Sequence, residues 1–483
     1  MKEIQHSKVN LSAGNSTVNR DSNRSNSVSA KDEELVFLPA YQLAQLIRDR
    51  QVSCQDLIKA HLAQIARHNQ KLNAIVTLDE EGAQKQAKAA DEALAKGNSW
   101  GALHGVPITI KDCLETKGIR TTSSYQPLAD YIPEQDATAV ARLRGAGAII
   151  LGKTNTPKLA EDFQTNSPLF GRTNNPWNLD YTPGGSTGGG AAAVAAGLSP
   201  LELGSDCGGS IRIPSHFCGL FGLKPTEQRV SFFGHIPELP RQPKSIRHLQ
   251  TVGPLARSLE DLRLCLSLIE DKDVTHSEVL EKLPNKLESY RFAWTDSFGD
   301  IPPDAETRAA MDKLASCLTE IGCYLEQQSP PNFDFIAVWE AYISIFQWEF
   351  DALQLDKSVI QQQRYVQALA QRNTFINQIE RFLNNWDGLL VPVAPTPAFP
   401  HCPMGKPIEV DGQQFSYMMS IGAYTTPFNL TGNPAVVMPF TRSKKGLPMG
   451  IQIVGRRGSD MKLLGIAEKL TQVTGLFQRP PGY

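Results

Sequence analysis

Leu43, Leu46 and Ile47 share one face of a helical wheel, and Ser53-Cys54-Gln55-Asp56 has the form of a capping box opening a second helix that carries Ile58, Leu62 and Ile65. The pattern predicts two amphipathic helices at the start of the folded part. Ahead of them, residues 11–30 hold six Ser, four Asn and no aromatic residue. Such a stretch cannot bury enough surface to offset the entropy of ordering, so residues 1–33 are expected to be a disordered tail. From Gly101 to about Pro254, β-type runs (Val106 to Ile110, Ala148 to Leu151) alternate with Gly-rich turns and helical segments such as Ala137 to Arg144. That alternation predicts an α/β layered sheet. Between about 270 and 390 the pattern turns helical and charged, with one strand at Tyr290 to Trp294, and is expected to decorate the sheet from outside. Strand patterns return at Ala435 to Pro439 and Gly450 to Val454, followed by a helix from Asp460 to Thr474. No internal repeat is found.

Charge and cysteines narrow the class. Against 50 Asp+Glu the chain carries 48 Lys+Arg, a formal charge of −2, which argues against a general nucleic-acid or membrane-surface binder. Cys54, Cys113, Cys207, Cys218, Cys265, Cys317, Cys323 and Cys402 form no Cys-x-x-Cys pair and no zinc-type spacing with histidine. They read as reduced thiols. Met1 to Asn10 lacks the apolar stretch of a secretory signal, and no run of about 20 apolar residues follows. A soluble, cytoplasmic protein without membrane insertion is expected.

Three motifs point to chemistry that their context does not support. Gly147-Ala-Ile-Ile-Leu-Gly152-Lys153-Thr154 fits the phosphate-loop pattern letter for letter, yet its four variable residues are themselves strand-like, where a nucleotide-binding loop must follow the strand. Gly184-Gly185-Ser186-Thr187-Gly188 fits a nucleophile elbow, with His216 or His235 to complete a Ser–His pair. The residues before it, Asn174 to Pro183, are loop-forming, where an elbow needs a strand. Trp339, Tyr342, Phe346 and Phe350 make one helical stripe, expected to pack in the core, with a substrate-facing wall as the other reading.

A longer constellation runs from Gly184-Gly-Ser-Thr-Gly-Gly-Gly to Gly204-Ser-Asp206-Cys207-Gly208-Gly209-Ser210-Ile-Arg212-Ile-Pro. Dense glycine lets backbone N–H groups approach a ligand, so Asp206 to Ser210 could offer adjacent donors to an oxyanion beside a hydroxyl nucleophile. Together with His104-Gly-Val-Pro-Ile-Thr-Ile-Lys111-Asp112, Gly152-Lys-Thr-Asn155, Phe170 to Trp177 and Pro427 to Pro434, this stretch resembles the amidase signature family of serine hydrolases. The resemblance spans roughly residues 35–480. It implies one amidase-signature domain over residues 34–483: N-terminal helices (34–100), a catalytic core (101–270), a mostly helical variable region (271–390) and C-terminal strands and helix (391–483). The implied fold is α/β/α layers about a large mixed sheet with helices on both faces.

It further implies a triad of Lys111 as base, Ser186 as relay behind a cis peptide bond, and Ser210 as nucleophile. The backbone amides of Cys207, Gly208, Gly209 and Ser210 would form the oxyanion hole, with Asp206 and Arg212 bracing the loop. Thr187 stands where many relatives have serine, and Glu227-Gln228 where the family often has Tyr-Gly. A lysine acting as base must be neutral, which burial beside the apolar run Val106 to Ile110 would favour, with Asp112 on the opposite side of its strand. No metal or cofactor is implied. The implied activity is hydrolysis of a small amide with an apolar or aryl acyl group. A glutamine-hydrolysing amidotransferase component is the alternative; its glutamine-holding carboxylate would fall at Gly422, seven positions before Asn429. A non-catalytic scaffold and a nucleotide binder are minor alternatives, the former opposed by the intact Lys111, Ser186 and Ser210. A homodimer stays open.

Overall fold

The computed structural model describes residues 30–240, 245–272, 283–298, 301–350 and 359–483. The tail expected at 1–33 lies outside these up to residue 29, and a helix at Ala30–Leu35 already occupies its end. The two predicted amphipathic helices follow at Ala40–Arg48 and Cys54–Leu72, the first burying Leu43 and Ile47. Ser53 caps the second: its Oγ accepts the Asp56 N–H at 3.0 Å and donates to the Asp56 carboxylate at 2.7 Å.

In chain order the strands of the described residues are β1 (Ile75–Leu78), β2 (Pro107–Lys111), β3 (Ile149–Thr154), β4 (Asn166–Ser167), β5 (Gly171–Arg172), β6 (Leu201–Asp206), β7 (Phe221–Lys224), β8 (Thr251–Ala256), β9 (Arg291–Trp294), β10 (Tyr324–Gln327), β11 (Gly388–Pro392), β12 (Ile408–Val410), β13 (Gln413–Phe415), β14 (Ala435–Arg442) and β15 (Pro448–Val454). Two short hairpins, β4 with β5 and β12 with β13, stand apart from one 11-stranded sheet ordered β1-β3-β2-β6-β8-β7-β14-β15-β11-β9-β10. Parallel pairing joins β3, β2 and β6, whereas β8, β7, β14 and β15 pair antiparallel. Every residue of β2, β3, β6 and β8 is buried. Strands covered on both faces read as near-continuous apolar runs, and helices supply the cover. The fold is therefore the expected α/β architecture about a mixed sheet.

One expectation fails. Residues 270–390 do not merely decorate the sheet, because β9 and β10 extend its far edge beyond β11 by parallel pairing. Tyr324-Leu-Glu-Gln is mostly exposed, as an edge strand can be, and so carries no inward-outward alternation to read. The helices Phe335–Phe350 and Val359–Leu383 from this region do pack together, burying Tyr342, Ile345 and Phe375 in a common cluster with Leu430. Among the described residues no helix is long and apolar enough to cross a membrane.

The helix Gly188–Ala195 is buried along its whole length. A Cβ added at Gly190 would lie 2.4 Å from the Glu202 side chain on β6, so the absence of a side chain sets how closely this helix meets the sheet. Gly190→Ala is expected to destabilise the fold by about 1–3 kcal/mol through overpacking, read as a lowered urea midpoint at unchanged slope.

Candidate active site

Parallel strands β2 and β6 place Thr109 beside Glu202 and Ile110 beside Leu203, so their C-terminal ends bring Lys111 and Ser205 together. Lys111 Nζ lies 3.1 Å from Ser205 Oγ and 2.7 Å from Ser186 Oγ. Ser186 arrives on the segment leading into the helix Gly188–Ala195, and the Gly185–Ser186 peptide is cis. Thr187 ties this segment to its neighbours: its N–H donates to the Ser210 carbonyl at 3.2 Å and its hydroxyl to the Ser205 carbonyl at 3.2 Å. Lys111 and Ser186 are 0% and 1% exposed, Ser210 8%. Of the two serines, Ser210 is the more open to an incoming molecule.

Burial pushes the Lys111 amine below its ordinary value, against the opposing pull of Cys113, Asp206 and Glu202. Asp112 takes the other side of the strand, where it accepts the Thr122 N–H at 3.1 Å and the Thr122 hydroxyl at 2.5 Å. Its own burial pushes it up to about 6. Glu202 is likewise pushed up to about 7 by burial.

The loop that follows β6 is wound around Asp206. Arg212 grips that carboxylate with Nε and Nη2 at 3.0 and 2.9 Å, and Asn429 Nδ2 adds a third contact at 2.9 Å. Burial alone would raise Asp206, but the Arg212 charge and these donors hold it well below the usual carboxylate range. Gly209 turns the loop with a φ of +128°, which a side chain would resist, and a Cβ there would meet Thr425 Oγ1 at 2.6 Å. The Gly209 N–H donates to Asp206 Oδ1 at 2.8 Å and the Ile211 N–H to Oδ2 at 3.1 Å. Of the four amides expected from the sequence to form an oxyanion hole, that of Gly209 is already engaged here. Gly209 faces its own brace, and Cys207, Gly208 and Ser210 are the remaining amides.

The decoy motifs resolve as structure. Lys153 is in β3, fully buried, with its Nζ donating to the Leu114 carbonyl and to Thr116 Oγ1. Ser186 follows no strand. His216 is a buried helix residue whose ring takes the Gly450 N–H at 2.8 Å. In the aromatic stripe Phe350 and Tyr342 are buried, as core packing expects, and the Tyr342 hydroxyl reaches the loop, 2.6 Å from where a Gly208 Cβ would stand. Gln228 adopts a φ of +65°, the left-handed conformation suited to the glycine that the resemblance leads one to expect there.

Sequence reading missed Ser205 as a partner of Lys111 and took Tyr342 chiefly for core. The register between β2 and β6 sets the first, and the packing of a helix some 130 residues downstream the second; no local signal carries either.

Comparison with known proteins bears on the family and the fold. The protein-family model described as Amidase matches residues 56–356 and 340–464. A glutamyl-tRNA(Gln) amidotransferase subunit from Alkaliphilus metalliredigens is 31% identical, with 89% of this chain and 95% of that protein aligned. Among solved structures, an amidase is 30% identical with a TM-score of 0.79, covering 90% of this chain and 99% of its own. A 6-aminohexanoate cyclic dimer hydrolase complexed with substrate is 26% identical with a TM-score of 0.77, covering 92% and 99%.

Asp206→Asn removes one partner of a fully buried pair and is expected to lower stability at pH 7 by about 3–5 kcal/mol. Because the folded-state value is depressed, the contribution of Asp206 is present above the ordinary carboxylate value of about 3.9 and lost as pH falls below it. Urea unfolding of the wild type should weaken below about pH 4, and the Asn variant should show a shallower decline.

Proposed function

The chain belongs to the amidase signature family and acts on the carbon–nitrogen bond of an amide, and from that premise we propose that it hydrolyses small carboxamides to the acid and ammonia through an acyl-enzyme on Ser210. The observation that carries this reading is the 2.7 Å contact between a fully buried Lys111 amine and Ser186 Oγ, laced by Thr187 to Ser210. A serine hydroxyl needs a base to remove its proton, and a lysine kept neutral by burial can serve.

In this mechanism Ser210 Oγ attacks the amide carbon while its proton passes to Ser186 Oγ, whose own proton passes to Lys111 Nζ. The oxygen left negative is met by the amides of Cys207, Gly208 and Ser210. Collapse breaks the carbon–nitrogen bond, and the departing nitrogen takes a proton from Ser186, which is resupplied by Lys111. Water repeats the sequence on the ester, freeing Ser210 and the acid. Preorganised donors of this kind are worth about 2.7–4 kcal/mol each in transition-state stabilisation.

For the acyl group, we take the wall around Gly422 as the guide. A Cβ at Gly422 would meet Thr426 Cγ2 at 3.0 Å, Phe163 Cζ at 3.2 Å and Trp339 at 3.5 Å. Beside Phe163, Asp162 accepts the Tyr417 hydroxyl, and burial raises its carboxyl above the ordinary value. Thr426, Phe163 and Trp339 offer an ammonium at this position no counter-charge, which favours an apolar or aryl amide. A second reading, the glutamine-hydrolysing component of an amidotransferase, has its own support: the Alkaliphilus relative is named as an amidotransferase subunit, at 31% identity over 89% of this chain. Sequence likeness favours the second reading and the uncharged wall the first.

Ammonia release from hexanamide, benzamide, indole-3-acetamide, oleamide and glutamine decides between them. Turnover of an apolar amide, absent in Ser210→Ala, is expected; release from glutamine alone would establish the second reading. Activity should fall as pH drops, since the lowered Lys111 value marks where the amine gains a proton and ceases to be a base. Lys111→Met should cost about 10²–10⁴ in kcat, the usual range for losing a general base, while the folded protein survives; a flat acid limb in the wild type would remove the base role.

A further inference from the structure

Behind the Lys111–Ser186 contact stands a second hydroxyl with a partner of its own. Ser205 Oγ, 3.1 Å from Lys111 Nζ, is also 2.8 Å from His235 Nε2. The same ring nitrogen lies 3.2 Å from the Cys113 thiol. His235 is 2% exposed, and its loop is fastened to the end of β2: the Ile236 N–H donates to the Cys113 carbonyl at 2.8 Å and the Glu115 N–H to the Gly234 carbonyl at 2.8 Å. The imidazole is thus fixed relative to the strand that carries Lys111.

We propose that His235 is a positioning residue that fixes the direction of the Ser205 proton and so aims the Lys111 lone pair at Ser186. The inference rests on Lys111 being the base of the reaction above. A hydroxyl has one proton to give and oxygen lone pairs to receive with. When Ser205 donates to His235 Nε2, its oxygen can only accept from Lys111, so a neutral amine turns an N–H toward Ser205 and keeps its single lone pair for the Ser186 proton. Were Ser205 to donate to Lys111 instead, that lone pair would be capped and Ser186 would have nowhere to pass its proton. Burial pushes the Cys113 thiol up, so it keeps its hydrogen, 3.2 Å from Nε2 and 3.7 Å from Ser205 Oγ. With Ser205 donating to Nε2, the ring proton of this tautomer is on Nδ1.

The rate at which a fluorophosphonate labels Ser210 in the full-length chain tests this without knowledge of the natural amide. The terminal amide of glutamine reaches the place of Nε2 and can accept from Ser205; that of asparagine stops near Nδ1. His235→Gln is expected to label within about threefold of wild type, and His235→Asn and His235→Ala about tenfold more slowly, less than the roughly 10²–10⁴ of losing a general base outright because Lys111 itself remains. The Gln and Asn variants both keep a polar group in the cavity, so their comparison stands even where the Ala variant does not fold. Adding His235→Asn to Ser205→Ala should slow labelling no further, because the effect passes through that hydroxyl. Equal rates for Gln and Asn, or losses that multiply in the double variant, would overturn the positioning role. An unlabelled wild type would overturn the acyl-enzyme on Ser210 and this inference with it.

Discussion

The buried Asp206–Arg212 pair is the constraint on which the rest of the site hangs. Both side chains are wholly removed from water, a state tolerated only if each charge is matched and each remaining donor and acceptor is used. The matching partners come from far apart in the chain. Asp206 takes the N–H groups of Gly209 and Ile211; Arg212 gives to the Thr425 carbonyl at 2.9 Å and to Asn429 Oδ1 at 2.5 Å. Satisfying one ion pair therefore fixes the tight turn that ends at Ser210 and clamps it to the Thr426–Leu430 helix. The loop is held because departing from this geometry would leave a buried charge unpaired.

A second constraint sorts the ionisable groups about β2. Lys111 and Asp112 are consecutive and both fully buried. Strand geometry sends them to opposite sides, so the amine meets hydroxyls while the carboxylate meets the Thr122 amide and hydroxyl. Lys153, on neighbouring β3, serves the carboxylate's side and binds Leu114 and Thr116. The catalytic reading of Lys111 depends on this partition: a carboxylate on its own side would favour the ammonium and remove the base. Lys153 is equally buried and desolvation lowers it to about 8 against the pull of Asp112, whereas the Lys111 amine has the hydroxyls of Ser186 and Ser205 as its neighbours.

Support for the site extends outward through pairs that join distant segments. Glu227 receives Arg372 and the Leu249 N–H, tying the strand side of the loop to the long helix Val359–Leu383. Glu349 holds the backbone of Arg247 and His248 at 2.7 and 2.8 Å, anchoring the helix that carries Tyr342. The variable helical region is thus bolted to the core by buried carboxylates, and its Tyr342 hydroxyl reaches the loop at Gly208.

The sequence by itself determined the alternation of strands and helices in the core and the capped helix at Ser53, which rest on local periodicity, and it singled out Lys111, Ser186, Asp206, Ser210 and Arg212 as candidates through a resemblance carried by motifs a few residues long. It also sufficed to discount Lys153, whose glycine-flanked run reads as a strand before any fold is known. What it left open depends on contacts between residues far apart. That β9 and β10 join the sheet follows from parallel pairing along an exposed edge, which leaves no alternation in Tyr324 to Gln327. That the Gly209 amide serves Asp206, that Ser205 and His235 stand behind Lys111, and that Tyr342 reaches the loop were decided only in the tertiary structure. Register between strands and the approach of a distant helix place those atoms within hydrogen-bonding distance, and neither quantity is written in any short stretch of residues.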